Sequence, residues 1–146
     1  YQYNIYRGMK NMPRVAIIGS RDWSNRRKVQ DLVHQLKQKF GTELTIVSGG
    51  CKTGADKFAK KFAIEMGVQY EEYNPAHTPK NLYSMMPDYY YNKTYHASQF
   101  IHRNDLIAKN SDYCIALIPK DADKATGTTH TIKRFKKLNK PVIIMT

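Results

Sequence analysis

An α/β fold on a mostly parallel five-stranded sheet is predicted by three features of this sequence: short β-branched runs, amphipathic stretches alternating with them, and glycine-containing turns where the two meet. The first β-α-β unit has Val15–Ile18 and Leu44–Val47 as strands. Between them Val29, Leu32, Val33, Leu36 and Phe40 recur at helical spacing, with Ser24 or Asn25 as the cap and Gly41 as the stop. A second helix runs from Thr53 to Met66, with Phe58, Ala59, Phe62 and Ala63 on one face, and Gly67 ends it. Val68–Tyr73 reads as a third strand, whose polar residues suit a sheet edge. Thr94–Lys109 then reads as a helix, Tyr113–Ile118 as a strand, Thr128–Leu138 as a helix and Val142–Met145 as the last strand.

Continuous apolar strands separated by helices require a sheet covered on both faces, which makes the expected architecture a Rossmann-like three-layer sandwich. The 146 residues suffice for one domain, read as residues 14–146, with an N-terminal extension at 1–13 and an aromatic insert at about 75–95. No apolar run approaches the ~20 residues of a membrane span. Tyr1–Gly8 lacks the pattern of a secretory signal, so a cytoplasmic protein is expected. The two cysteines, Cys51 and Cys114, exclude a disulfide scaffold, and neither the cysteines nor the five histidines have metal-ligand spacing. No metal and no resident cofactor is expected. A net charge of +12 implies attraction to polyanions but does not choose among nucleic acid, nucleotide phosphates and acidic proteins.

Ligands of such sheets sit beyond the carboxyl ends of the strands, so the residues following each strand carry the functional reading. Gly19-Ser20-Arg21-Asp22 offers close backbone approach, a hydroxyl, a guanidinium and a carboxylate; it also suits a plain turn in which Asp22 caps a helix. Ser48-Gly49-Gly50-Cys51-Lys52-Thr53-Gly54-Ala55-Asp56 leads directly into a helix, and its backbone N–H groups can close around a phosphate with Lys52 adding charge. It matches neither Gly-x-x-x-x-Gly-Lys-Ser/Thr nor Gly-x-Gly-x-x-Gly. Thr126-Gly127-Thr128 is a second candidate cradle, and Arg103, beside Asn104, could hold a phosphate bidentately. In the insert, Tyr83, Tyr89, Tyr90, Tyr91 and Tyr95 suit three roles: stacking on a base, a subunit interface, or covering the core.

Taken in order and spacing, Val-Ala-Ile-Ile-Gly-Ser-Arg-Asp (15–22), Val-Ser-Gly-Gly-x-x-Thr-Gly-Ala-Asp (47–56), Arg-Asn (103–104), Ser-Asp-Tyr-Cys-Ile-Ala (111–116) and Gly-Thr (127–128) resemble the SLOG superfamily, in particular its YspA/YpsA-like branch. The resemblance runs from about Arg14 to Met145. It implies a nucleotide or nucleotide-derived ligand bound by Gly19, Ser20, Arg21, Ser48, Gly49, Gly50, Lys52, Thr53, Gly54, Arg103, Asn104, Thr126, Gly127 and Thr128. The Arg-Asn element is also similar to that of DNA-processing protein A, which implies single-stranded nucleic acid as an alternative partner; a homo-oligomer is expected as well. LOG phosphoribohydrolases of the same superfamily carry a catalytic Glu two residues after their Gly-Thr, where this sequence has His130. If the chain cleaves an N-glycosidic bond, another carboxylate must serve, and Asp22 and Asp56 are the candidates, with Asp105 a further one.

Overall fold

The computed structural model describes residues 12–120 and 126–146. The expected extension therefore lies outside the described residues but for its last two, as does much of the loop preceding Thr126. Five strands form one wholly parallel sheet: β1 (Arg14–Gly19), β2 (Thr45–Ser48), β3 (Gln69–Glu72), β4 (Tyr113–Leu117) and β5 (Val142–Met145), in the order β3-β2-β1-β4-β5. Four helices complete the sandwich: α1 (Arg26–Phe40), α2 (Gly54–Glu65), α3 (Ser98–Lys109) and α4 (Thr126–Lys137).

Side chains alternate across each strand, and the two resulting faces bury different helices. Val15, Ile17, Ile46, Ile115 and Leu117 pack under α1 and α2, against Val29, Leu36, Ala59 and Phe62. Ala16, Ile18, Val47, Cys114 and Ala116 pack under α3 and α4, against Ile107, Ile132 and Phe135. This two-sided burial is why the strands read as unbroken apolar runs. The Asn25 side chain caps α1 by accepting from Lys28 N at 3.1 Å, and Gly41 ends it at a φ of 59°.

Local boundaries differ from the sequence reading, most of them by a single residue. Leu44 precedes β2 as the buried end of a 3-10 turn. Residues 94–97 are exposed and stay outside α3, because the Gln99 side chain turns back on them, donating to Thr94 O and accepting from His96 N. α4 starts two residues earlier than expected, at Thr126. β3 is the polar edge strand, yet its outer side is not bare: Glu72 N donates to Tyr83 O and Met85 N to Glu72 O, each at 3.0 Å, so the connection to α3 runs beside it. No helix among the described residues is long and apolar enough to cross a membrane.

The order of strands places a switch point between β1 and β4: the chain steps outward from β1 through β2 to β3, then returns to build β4 and β5 on the other side. Gly19 makes this junction possible. A Cβ there would lie 2.3 Å from Leu117 O and 2.8 Å from the Ala55 Cβ, neither of which is the end of a flexible side chain. Gly19→Ala is therefore expected to lower the unfolding free energy in urea titration by about 1–3 kcal/mol, the usual cost of overpacking. At Gly127 an added Cβ meets nothing among the described residues within 4 Å, so Gly127→Ala should stay within about 0.5 kcal/mol of wild type.

Candidate functional site

A cleft of about 1340 Å³ opens at the carboxyl ends of β1, β2 and β4, across the switch point, with the start of α4 on one wall and residues following β3 on another. Of the residues expected at a ligand site, Gly19, Ser20, Arg21 and Asp22 line it after β1 and Gly49, Gly50, Lys52 and Asp56 after β2. Arg103 and Asn104 join them from α3, and Gly127 and Thr128 from α4.

Three expected residues do not line the cleft. Ser48 is fully buried, and its hydroxyl accepts from Gly50 N at 3.1 Å, bracing the turn from below. Gly54 is a packing glycine: Ala55 N donates to Ser20 O, and a Cβ on Gly54 would sit 2.3 Å from that oxygen. Thr53 is exposed at the N-cap of α2, where its side chain makes no capping bond. Of Thr126 only the backbone, opening α4, is described.

The β2–α2 loop is already closed around an anion of its own. Asp56, in the first turn of α2, accepts from Cys51 N at 3.2 Å and from the Gly49 amide, while Gly50 N is held by Ser48. Arg103 reaches over from α3 and donates from Nη1 to Gly49 O at 2.8 Å and from Nε to Asn104 Oδ1 at 3.0 Å. Amides that could have cradled a phosphate thus hold a carboxylate, and Arg103 spends two of its donors on protein oxygens. Burial pushes the Asp56 carboxyl up to about 6, against the pull of the Arg103 guanidinium and the two amides. Burial likewise lowers Arg103, with Asp56 opposing.

Glu72 is the carboxylate that the sequence reading missed. It lines the cleft at the end of β3, fully buried, and accepts from Tyr70 Oη at 2.7 Å, Asn74 Nδ2 at 2.9 Å, Asn81 Nδ2 at 2.6 Å and Lys60 Nζ at 2.9 Å. Burial raises its carboxyl, but the donors from Asn74, Asn81, Tyr70 and Lys60 outweigh that and hold it below the ordinary carboxylate range. Gly50, at a φ of 72°, lies against this knot; a Cβ there would meet Asn74 Nδ2 at 2.4 Å and Glu72 Cδ at 2.7 Å. The signal was present in Glu72-Tyr73-Asn74-Pro75, which follows a strand as the other site segments do.

Other candidates lie elsewhere. Asp105 pairs with Arg134 Nε at 2.5 Å, joining α3 to α4, and does not line the cleft. His130 sits with Nδ1 3.3 Å from Asn104 Nδ2, behind the lining. None of Tyr83, Tyr89, Tyr90, Tyr91 and Tyr95 lines the cleft; Tyr91 is buried, and Tyr83 packs edge-on against Tyr70 at 5.5 Å. Among the described residues no group of three or more His, Cys, Asp or Glu side chains is arranged to hold a metal ion.

The two carboxylates give opposite pH signatures. Asp56 has a folded value raised above its ordinary 3.8, so the stability it contributes is complete below that value and is lost as pH rises through about 6. Glu72 is lowered, so its contribution is complete above its ordinary 4.5 and is lost as pH falls through the folded value. Urea unfolding from pH 3 to 8 should show Asp56→Asn removing a component of about 3 kcal/mol that declines between roughly pH 4 and 6. Glu72→Gln should remove one that declines on acidification below roughly pH 4.5.

Comparison with known proteins follows the same lines. Residues 13–78, from the start of β1 to just beyond β3, match the YspA, cpYpsA-related SLOG family. The Gene 61 protein of Mycobacterium phage D29 is 28% identical over 132 residues, 90% of this chain and 95% of the phage protein. DNA processing protein A from Helicobacter pylori, studied for its single-stranded DNA binding mode, superposes with a TM-score of 0.66 at 24% identity. That match covers 91% of this chain, which spans 65% of the length of the Helicobacter protein. The molybdenum cofactor binding protein of Rippkaea orientalis superposes at 0.65 with 17% identity, over 90% of this chain and 75% of that one. The molybdenum cofactor carrier protein of Chlamydomonas reinhardtii gives 0.64, also at 17%, over 90% and 75%. At these identities the solved structures share the fold, and residues 13–78 carry the match to the YspA, cpYpsA-related SLOG family.

Proposed function

We propose that the cleft binds a nucleotide or nucleotide-derived small molecule, with the ligand's phosphate at the N-terminus of α4. The observation that carries this reading is the cleft's position at the switch point, with Thr128 in its wall. Thr128 is 8% exposed and lines the cleft from the first turn of α4. A hydroxyl on the lining beside the first-turn amides of a helix is suited to an anion that arrives from solution. The β2–α2 loop is less suited, since Asp56 already takes its amides. Exposed Arg21 and Lys52 on the lining add the charge that draws a phosphate in.

The lining argues for binding rather than N-glycosidic hydrolysis. That reaction needs a carboxylate facing the positive charge that develops at the sugar. Glu72 already accepts from four donors, Asp56 holds the loop, and Asp22 is exposed on the lining. A second reading, single-stranded nucleic acid, is favoured by the net charge of +12 and by the single-stranded DNA binding of the Helicobacter protein that shares the fold.

Calorimetric titration with AMP, ADP, ADP-ribose, NAD and a short oligo-dT at low and raised salt separates the two. A small nucleotide should bind, and Thr128→Val and Arg21→Ala should each weaken it roughly tenfold or more, the loss expected for one hydrogen bond to a charged group. Binding confined to the oligonucleotide, with a steep linear fall of log affinity against log salt, would move the function to nucleic acid. Release of free base from any of these nucleotides, lost in Asp22→Asn, would establish hydrolysis instead.

A further inference from the structure

The nucleotide reading requires a surface for the planar base, and the tyrosines of the insert do not supply it at the cleft. Among the described residues that line the cleft, only His77 and Phe100 carry aromatic rings. Their centroids are 5.3 Å apart with the planes inclined at 55°, so the two rings form a corner rather than a closed sandwich. A flat heterocycle laid on one ring would meet the other partly edge-on, an arrangement that aromatic quadrupoles favour.

The corner is held in place from behind. Gln99 Oε1 lies 3.2 Å from His77 Nδ1; an amide oxygen only accepts, so Nδ1 carries the proton. The same Gln99 amide donates to Thr94 O, which fixes its orientation. Tyr95 does not line the cleft, but its ring stands 5.0 Å from His77 and 6.0 Å from Phe100 and buttresses both. The Arg103 guanidinium lies 5.7 Å from the Phe100 ring centroid while fixed to Gly49 O. Rings already locked lose little rotamer freedom when a ligand arrives, so more of the stacking energy appears as affinity.

Resting on the nucleotide reading, we propose that Phe100 and His77 form a stacking platform for the nucleobase, placing the base-recognition end of the cleft at the start of α3 and the segment after β3. A sugar phosphate without a base would then bind through the α4 end alone.

The test compares AMP, GMP, CMP and UMP with ribose 5-phosphate, titrated calorimetrically into wild type, Phe100→Leu and Phe100→Tyr, with thermal unfolding as the control for folding. At least one nucleotide should bind wild type more tightly than ribose 5-phosphate. Phe100→Leu should weaken that nucleotide roughly ten- to a hundredfold while leaving ribose 5-phosphate unchanged, and Phe100→Tyr should retain it. The monophosphate of 2-aminopurine riboside, whose fluorescence falls when its ring stacks, should be quenched on binding wild type and less so on Phe100→Leu. Unchanged nucleotide affinity in Phe100→Leu overturns the platform and leaves the cleft reading standing, as does equal loss of nucleotide and ribose 5-phosphate. Failure of all four nucleotides and ribose 5-phosphate to bind wild type overturns both.

Discussion

The shape of the cleft depends on the contact between the β2–α2 loop and Arg103. α2 covers one face of the sheet and α3 the other, so a bond from Arg103 to the Gly49 carbonyl crosses the carboxyl edge of the sheet and joins the two outer layers at that point. Asp56 completes the junction by holding the Gly49 and Cys51 amides and by lying close enough to oppose the guanidinium's desolvation. The attraction between these two charges contributes little net stability, because desolvation offsets most of it. Its effect is geometric. A Cβ at Gly49 would lie 2.5 Å from Arg103 Nη1 and 3.1 Å from Asp56 Oδ2, so a side chain there would push against the two groups that hold the loop as a floor.

The far wall depends on the same kind of device at the next strand. The connection between β3 and α3 is long enough to wander, but Glu72 ties it down by backbone and side chain together. Its amide and carbonyl bond Tyr83 and Met85, its carboxylate takes Asn74 and Asn81, and Ser84 donates to Asn74 Oδ1 at 2.8 Å. Lys60 brings α2 into the same knot. A segment anchored at so many points can present His77 toward Phe100 at a constant angle.

The layers were legible in the sequence because they follow from periodicity. A strand buried on both faces leaves an unbroken apolar run, and Asn25 and Gly41 mark α1 from either end by local chemistry. The strand-end rule also located Gly19–Asp22, Gly49–Gly50 and Gly127–Thr128. The partners within the site were not legible, because its decisive bonds join residues far apart in sequence, Arg103 to Gly49 or Lys60 to Glu72. A polar third strand signals an edge, and nothing local marks the carboxylate at its end as buried. Composition reports that tyrosine rings are present without saying which of their roles they take, whereas packing puts a histidine and a phenylalanine on the cleft.

The distribution of charge around the cleft bears on its chemistry. The carboxylates deepest in the wall are each neutralised where they stand, Asp56 by loop amides and Arg103, Glu72 by Lys60 and three neutral donors. To serve as a base or to face a developing cation, either would have to give up bonds that set the wall's geometry, so reactivity and shape compete for the same atoms. Exposed cations on the lining, Arg21 and Lys52, carry no such conflict. An anion can be drawn to them, pass inward to the hydroxyl of Thr128 and leave unchanged without any internal bond being broken. On the proposed nucleotide reading, a cleft so built serves recognition of the ligand without competing with the bonds that hold its walls.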